Sequence, residues 1–185
     1  MKFFTPLLFF FISTLALYAQ SEPDFMGETI SFTSNDGLKV AADLYMPHET
    51  TAPFIILYHQ AGYSRGEYRS IAPILNEMGF NCMAVDQRSG GPINGINNLT
   101  HEQAVAQKLP TEYLDALPDI EAAYVYVKLA IKPTKIILWG SSYSAAIMFY
   151  MGSEHHDNLS GILCFAPGEY FKINNKDLKI YAAKV

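Results

Sequence analysis

Apolar and polar positions alternate along this chain with a period that changes from one stretch to the next. Thr29-Ile30-Ser31-Phe32 leads into Asn35-Asp36-Gly37 and then residues 38–45, which predicts two strands around a turn that needs positive φ. After a polar linker at 47–53, Phe54-Ile55-Ile56-Leu57-Tyr58 is an unbroken apolar run, the pattern of a strand covered on both faces. Residues 68–78 put Ile71, Ile74, Leu75 and Met78 at helical spacing, with Gly79 where a helix end takes a left-handed residue. Residues 81–85 read as the next strand. The long polar connection at 86–110 is expected to hold a short helix over 100–108, capped by Thr100 with Gln103 three residues on. Residues 111–129 read as a longer helix that Pro118 must either begin or kink. Strands are predicted at 135–139 and 161–166, an apolar helix at 145–151 and a last helix over 174–185. Strand alternating with helix predicts an α/β fold: a hairpin first, then a mostly parallel sheet with helices on both faces.

A length of 185 residues fits one domain. Hydrophobic residues make up 50% and charged ones 17%, so the chain has ample material for a packed core. The net charge of −5 leaves no basic stripe for nucleic acid, and no such partner is expected. Residues 1–19 read as a secretory leader, with Lys2 before an apolar run from Phe3 to Leu17 and a small residue at Ala19. Cleavage there leaves a domain over 20–185, exported and free of the membrane. Cys82 and Cys164 each sit inside an apolar strand-like run and read as buried thiols, not as a disulfide.

The chemistry concentrates at Gly140-Ser141-Ser142-Tyr143-Ser144, where an apolar strand turns into an apolar helix. That context makes Gly140-x-Ser142-x-Ser144 a nucleophile elbow. Ser142 is the candidate nucleophile, and the turn needs small residues at Gly140 and Ser144 because strand and helix come close together. The amides that open the helix face the place where negative charge develops.

With this elbow stand the opening hairpin, carrying Asp36-Gly37 and Leu44-Tyr45-Met46-Pro47, the turn His59-Gln60-Ala61 with Gly62, and Asp86-Gln87-Arg88-Ser89-Gly90-Gly91. On these residues the chain resembles the α/β-hydrolase superfamily, and within it the dienelactone-hydrolase-like and related esterase members. The resemblance implies hydrolysis of small-molecule carboxylic esters through an acyl-enzyme at Ser142, with no metal or organic cofactor. It implies an oxyanion hole made by the N–H groups of Tyr143 and Ala61, or of Gln60 if the register differs by one. Asp86 and Arg88 then fix loops, and His59 braces the oxyanion loop. The family places its acid after the seventh strand and its histidine after the eighth. The chain is therefore expected to cover the N-terminal two-thirds of such a domain and to lack the C-terminal strands. Both triad partners then lie beyond residue 185, and the chain as given is weak or inactive. Glu169 is the candidate acid inside the chain, and His59 is the base if an internal one serves. Tyr63, Tyr143, Tyr170 and Phe171 are expected to form an aromatic wall, and His155-His156-Asp157 a surface turn. The alternative function is a catalytically dead or ligand-binding module of the same fold. The last strand, left as an apolar edge, is expected to drive self-association.

Overall fold

The computed structural model describes residues 27–185, so the leader reading at 1–19 lies outside the described residues. Six strands form one sheet in the order β1-β2-β4-β3-β5-β6. The opening hairpin is β1 (Glu28–Thr33) and β2 (Lys39–Tyr45), antiparallel, with Gly37 at φ 88° in the turn. β2 then pairs antiparallel with β4 (Asn81–Val85). From β4 the pairing is parallel through β3 (Phe54–Tyr58), β5 (Ile136–Ser141) and β6 (Gly161–Phe165).

Every residue of β3 and β4 is buried, because these unbroken apolar runs lie mid-sheet with helices on both sides. On one face α3 (Leu117–Tyr126) and α4 (Tyr143–Glu154) pack Ile120, Ala123, Ile147 and Met148 against Val40, Ile56, Met83 and Leu138. On the other face α1 (Ala72–Glu77) sets Ala72 and Leu75 against Ile55, Leu57, Cys82 and Ala84. Each large side chain buried this way contributes about 1.5–3 kcal/mol. Both cysteines are free, Cys82 buried and Cys164 half-buried. β6 lies at the sheet edge with Leu163 and Phe165 exposed. Among the described residues no helix is long and apolar enough to cross a membrane.

Four elements differ from the sequence reading. Pro73 sits in the first turn of α1, where its missing N–H costs nothing, so the helix starts at Ala72 and a separate 3₁₀ turn, Arg65–Tyr68, precedes it. The helix over 100–108 is α2 (Leu99–Ala106), and its cap is Asn98, whose side chain accepts the His101 N–H at 2.8 Å. Thr100 is instead buried, its hydroxyl accepting the Ala41 N–H at 2.9 Å. Pro118 begins α3 and does not kink it, after a 3₁₀ turn at Tyr113–Ala116. The last helix, α5 (Leu178–Ala182), is five residues long, much shorter than 174–185.

Candidate active site

Parallel strands put their C-terminal ends at one edge of the sheet, so the loops after β3, β5 and β6 meet there. Ser142 stands between β5 and α4 at φ 57°, ψ −117°, a conformation that costs a non-glycine residue on the order of 1–3 kcal/mol. Its surroundings hold it there. Its N–H donates to the Phe165 carbonyl at 2.8 Å, fastening the turn to the end of β6. A Cβ on Gly140 would come within 2.6 Å of the Ala145 backbone nitrogen, so only glycine lets the first turn of α4 lie this close to β5.

Ser144 does more than keep the elbow small. Its hydroxyl is fully buried, accepts the Ser141 N–H at 2.9 Å and lies 2.8 Å from the Tyr58 carbonyl oxygen, tying the helix start to the end of β3. Tyr58 also accepts the Tyr68 hydroxyl at 2.7 Å on the same oxygen. A glycine at 144 would supply the space without these bonds.

The register of β3 on β5 pairs Tyr58 with Gly140, which brings the two loops forward in step: Ala61 and Tyr143 each follow three residues on. The Tyr143 amide opens α4 and has no intrahelical acceptor. Of the two donors that the sequence offered on the other side, Gln60 is taken. Its N–H donates to Glu67 Oε2 at 2.8 Å, whereas the Ala61 N–H has no acceptor among the described residues. Of these two amides, that of Ala61 is thus left open and that of Gln60 is engaged.

His59 is buried and has no free ring nitrogen. Nε2 accepts the Gln87 N–H at 2.9 Å, which puts the proton on Nδ1, and Nδ1 donates to the Gln60 carbonyl at 2.8 Å. Burial lowers its pKa to about 4, so the ring is neutral at pH 7. Both ring nitrogens are engaged and neither bonds to Ser142; what these bonds do is brace the loop. Two buried arginines secure the surrounding loops. Arg65 pairs with Asp43 at 2.8 Å and Asp86 at 2.6 Å, and Arg88 with Asp119 and Asp36, both at 2.6 Å. Asp86 also accepts the Leu99 N–H, drawing α2 onto the end of β4.

The group that faces Ser142 is Tyr170, whose hydroxyl lies 3.3 Å from Ser142 Oγ. Glu169 beside it is exposed and has no hydrogen bond or ion pair among the described residues. No histidine of the described residues bonds to Ser142. His48, His101 and His156 reach backbone carbonyls, and His155 reaches Glu121 Oε2 at 3.0 Å. The aromatic wall holds three of its four expected members and gains one. Tyr143 is wholly buried, its ring stacked on Tyr113 at 4.9 Å and its hydroxyl bonded to Ser89 at 2.5 Å. Tyr170 and Phe171 meet the same Tyr113 ring at 6.1 and 6.5 Å, and no ring contact joins Tyr63 to them. Tyr113 escaped the sequence reading because it lies in a turn that was taken for the interior of a helix.

No protein-family model matches this chain, and no curated protein does. Solved structures do. A thermostable carboxyl esterase from Bacillus coagulans is 20% identical with a TM-score of 0.58, over 74% of this chain and 43% of its own. An esterase from Pyrococcus furiosus is 19% identical with a TM-score of 0.60, over 78% and 52%. Epoxide hydrolase A from Mycobacterium thermoresistibile is 17% identical with a TM-score of 0.52, over 74% and 38%. The chain thus spans about half the length of the solved structures it resembles. Its fold is the α/β-hydrolase fold, hairpin first and parallel thereafter, and the described residues hold six strands of it with no seventh or eighth.

Proposed function

We propose that this chain of α/β-hydrolase fold carries the nucleophile and oxyanion half of an exported serine hydrolase acting on small-molecule carboxylic esters. The observation that supports it best is the strained Ser142, held at φ 57° between β5 and α4 by a Gly140 that tolerates no Cβ. In the reaction Ser142 Oγ attacks the ester carbonyl carbon while a base takes the hydroxyl proton. The carbonyl oxygen becomes an oxyanion that the Tyr143 and Ala61 N–H groups receive. The alcohol leaves with the proton, and water then cleaves the acyl-serine. No histidine of the described residues bonds to Ser142, so the proposal leaves the base, and the acid that would orient it, unassigned. Ester substrates are favoured over other acyl groups by the motif resemblance to esterases, since the fold itself hosts several chemistries.

A second reading, a binding module without turnover, draws on one observation: the side chain that meets Ser142 is a tyrosine and not a histidine. One experiment separates the two. Wild type and Ser142→Ala are treated with a fluorophosphonate probe and assayed with a p-nitrophenyl ester. The hydrolase reading expects labelling of the wild type alone, and equal labelling of both proteins would sink it. Labelling without turnover is the result expected of the half-site acting without its base. Neither labelling nor turnover favours the binding module.

A further inference from the structure

Glu67 has no part in the elbow motif or in the chemistry above, yet it touches the site. It lies in the 3₁₀ turn Arg65–Tyr68, whose other three residues are buried and fixed. Arg65 is clamped by Asp43 and Asp86, and Tyr68 donates to the Tyr58 carbonyl. Gly66 has no room for a Cβ, which would stand 2.5 Å from the Ile93 carbonyl oxygen. Held on this platform, the Glu67 carboxylate accepts the Gln60 N–H at 2.8 Å. The Ser141 hydroxyl, next to the elbow serine, is close enough to favour its ionised form. Burial works against that charge and raises the pKa of Glu67. A carboxyl group is therefore held half-buried where the β3 loop approaches the elbow.

We propose that Glu67 is a positioning residue of this site: its carboxylate holds the Gln60 peptide beside Ser141 and so presents the next amide, that of Ala61, toward the atom bound at Ser142. Glu67 holds the peptide unit that ends in the Gln60 N–H, and the next unit is held through its own carbonyl, that of Gln60, which accepts from His59 Nδ1 and from the Tyr63 N–H, so the units on both sides of the Gln60 Cα are fixed. The Ala61 N–H lies in the second of these units and points opposite to its carbonyl, so its direction depends on both anchors. The inference rests on the hydrolase reading for its purpose, though not for its geometry.

The test uses the full chain as wild type, Glu67→Gln and Glu67→Ala. Hydrogen exchange at the Gln60 amide is expected to speed up by about tenfold or more in Glu67→Ala and to stay within about twofold in Glu67→Gln, whose side-chain carbonyl still accepts it. The Ala61 amide resonance shifts in the alanine variant and returns in the glutamine one, with the centre of the sheet unchanged. Unaltered exchange at Gln60 in Glu67→Ala overturns the proposal, and so does acceleration spread evenly over the sheet, which marks mere destabilisation. Should Glu67→Ala fail to fold, Glu67→Asp replaces it: its carboxylate is one methylene short, and the same local acceleration is expected. None of these readouts needs Ser142 to react, so their failure is distinct from a failure of the hydrolase reading. Where Ser142 is labelled, the rate in Glu67→Ala drops about tenfold, less than the loss of an oxyanion donor outright.

Discussion

The loop after β3 and the loop after β6 approach Ser142 from the two neighbours of β5, and they are held by different means. The β3 loop is pinned through polar groups that are themselves buried: His59 between Gln87 and Gln60, Gln60 on Glu67, and beneath them Arg65 between two aspartates. The β6 loop carries Ala166 at φ 51°, then Gly168, Glu169 and Tyr170, with Tyr170 49% exposed and touching Ser142 through one hydroxyl contact. Rings hold it, Tyr170 and Phe171 against Tyr113, and its one ion pair among the described residues, Lys172 with Asp177 at 3.0 Å, lies largely in solvent. A donor that must meet a developing charge is best fixed in advance, whereas a side chain over the entrance can move. On the proposed hydrolase reading, the contrast would give the β3 side the holding of the oxyanion and the β6 side the admission of substrate.

The largest effect is expected where the pinned side loses its anchor. Arg65→Leu leaves Asp43 and Asp86 buried opposite an apolar side chain, a loss of about 3–5 kcal/mol. Urea unfolding measures it. A loss below about 1 kcal/mol would mean that the β3 side is no more firmly built than the β6 side, and the comparison would collapse.

How much of this could be read in the sequence follows from the range of the interactions. The strands and the elbow were legible because their signals are local: the apolar runs at Phe54–Tyr58 and Asn81–Val85, and the small residues around Ser142, say what they are without knowing their neighbours. The parts that fix the site were not. Glu67 meets Gln60 only after the chain has folded back on itself, and nothing about a lone glutamate in a polar loop announces it. Tyr113 joins Tyr143 across thirty residues. Asn98 outcompetes Thr100 as a cap because Thr100 is drawn into the sheet by Ala41, a contact that local pattern cannot contain. Glu169 looked like an acid because it follows a strand at the correct edge, but it is its neighbour Tyr170 that reaches the serine.

A middle-sized effect sharpens the same contrast through pH. Burial lowers His59 from about 6.5 in the unfolded chain to about 4 in the folded one, so folding favours the neutral ring. Its contribution is complete above pH 6.5 and is lost as pH falls toward 4. The full span is worth about 3 kcal/mol by linkage. Unfolding free energies of wild type and His59→Asn, measured from pH 7.5 to 4, are expected to differ by a pH-dependent amount confined to that window. Taking the difference removes the carboxylates that titrate alongside. A constant difference across the window would show that the ring is not held neutral, and the bracing of Gln60 would need another source.

The smallest effect belongs to the β6 side. A Cβ on Gly168 would stand 2.6 Å from the Tyr170 ring and 2.9 Å from its hydroxyl, the far end of a side chain that is half in solvent and can swing away. Gly168→Ala should therefore cost no more than about 0.5 kcal/mol while moving the hydroxyl off Ser142. Tyr170→Phe removes the same contact without moving the ring, so the two variants should alter fluorophosphonate labelling of Ser142 in the same direction. Hydrogen exchange at Gln60 should stay at the wild-type rate in both, because nothing on the β6 side reaches the Glu67 clamp. If Gly168→Ala instead destabilised the protein by 2 kcal/mol or more, the ring contacts around Tyr113 would be holding this loop as rigidly as the buried charges hold the other. Tyr170 would then be a fixed wall of the site, and substrates would have to fit around it.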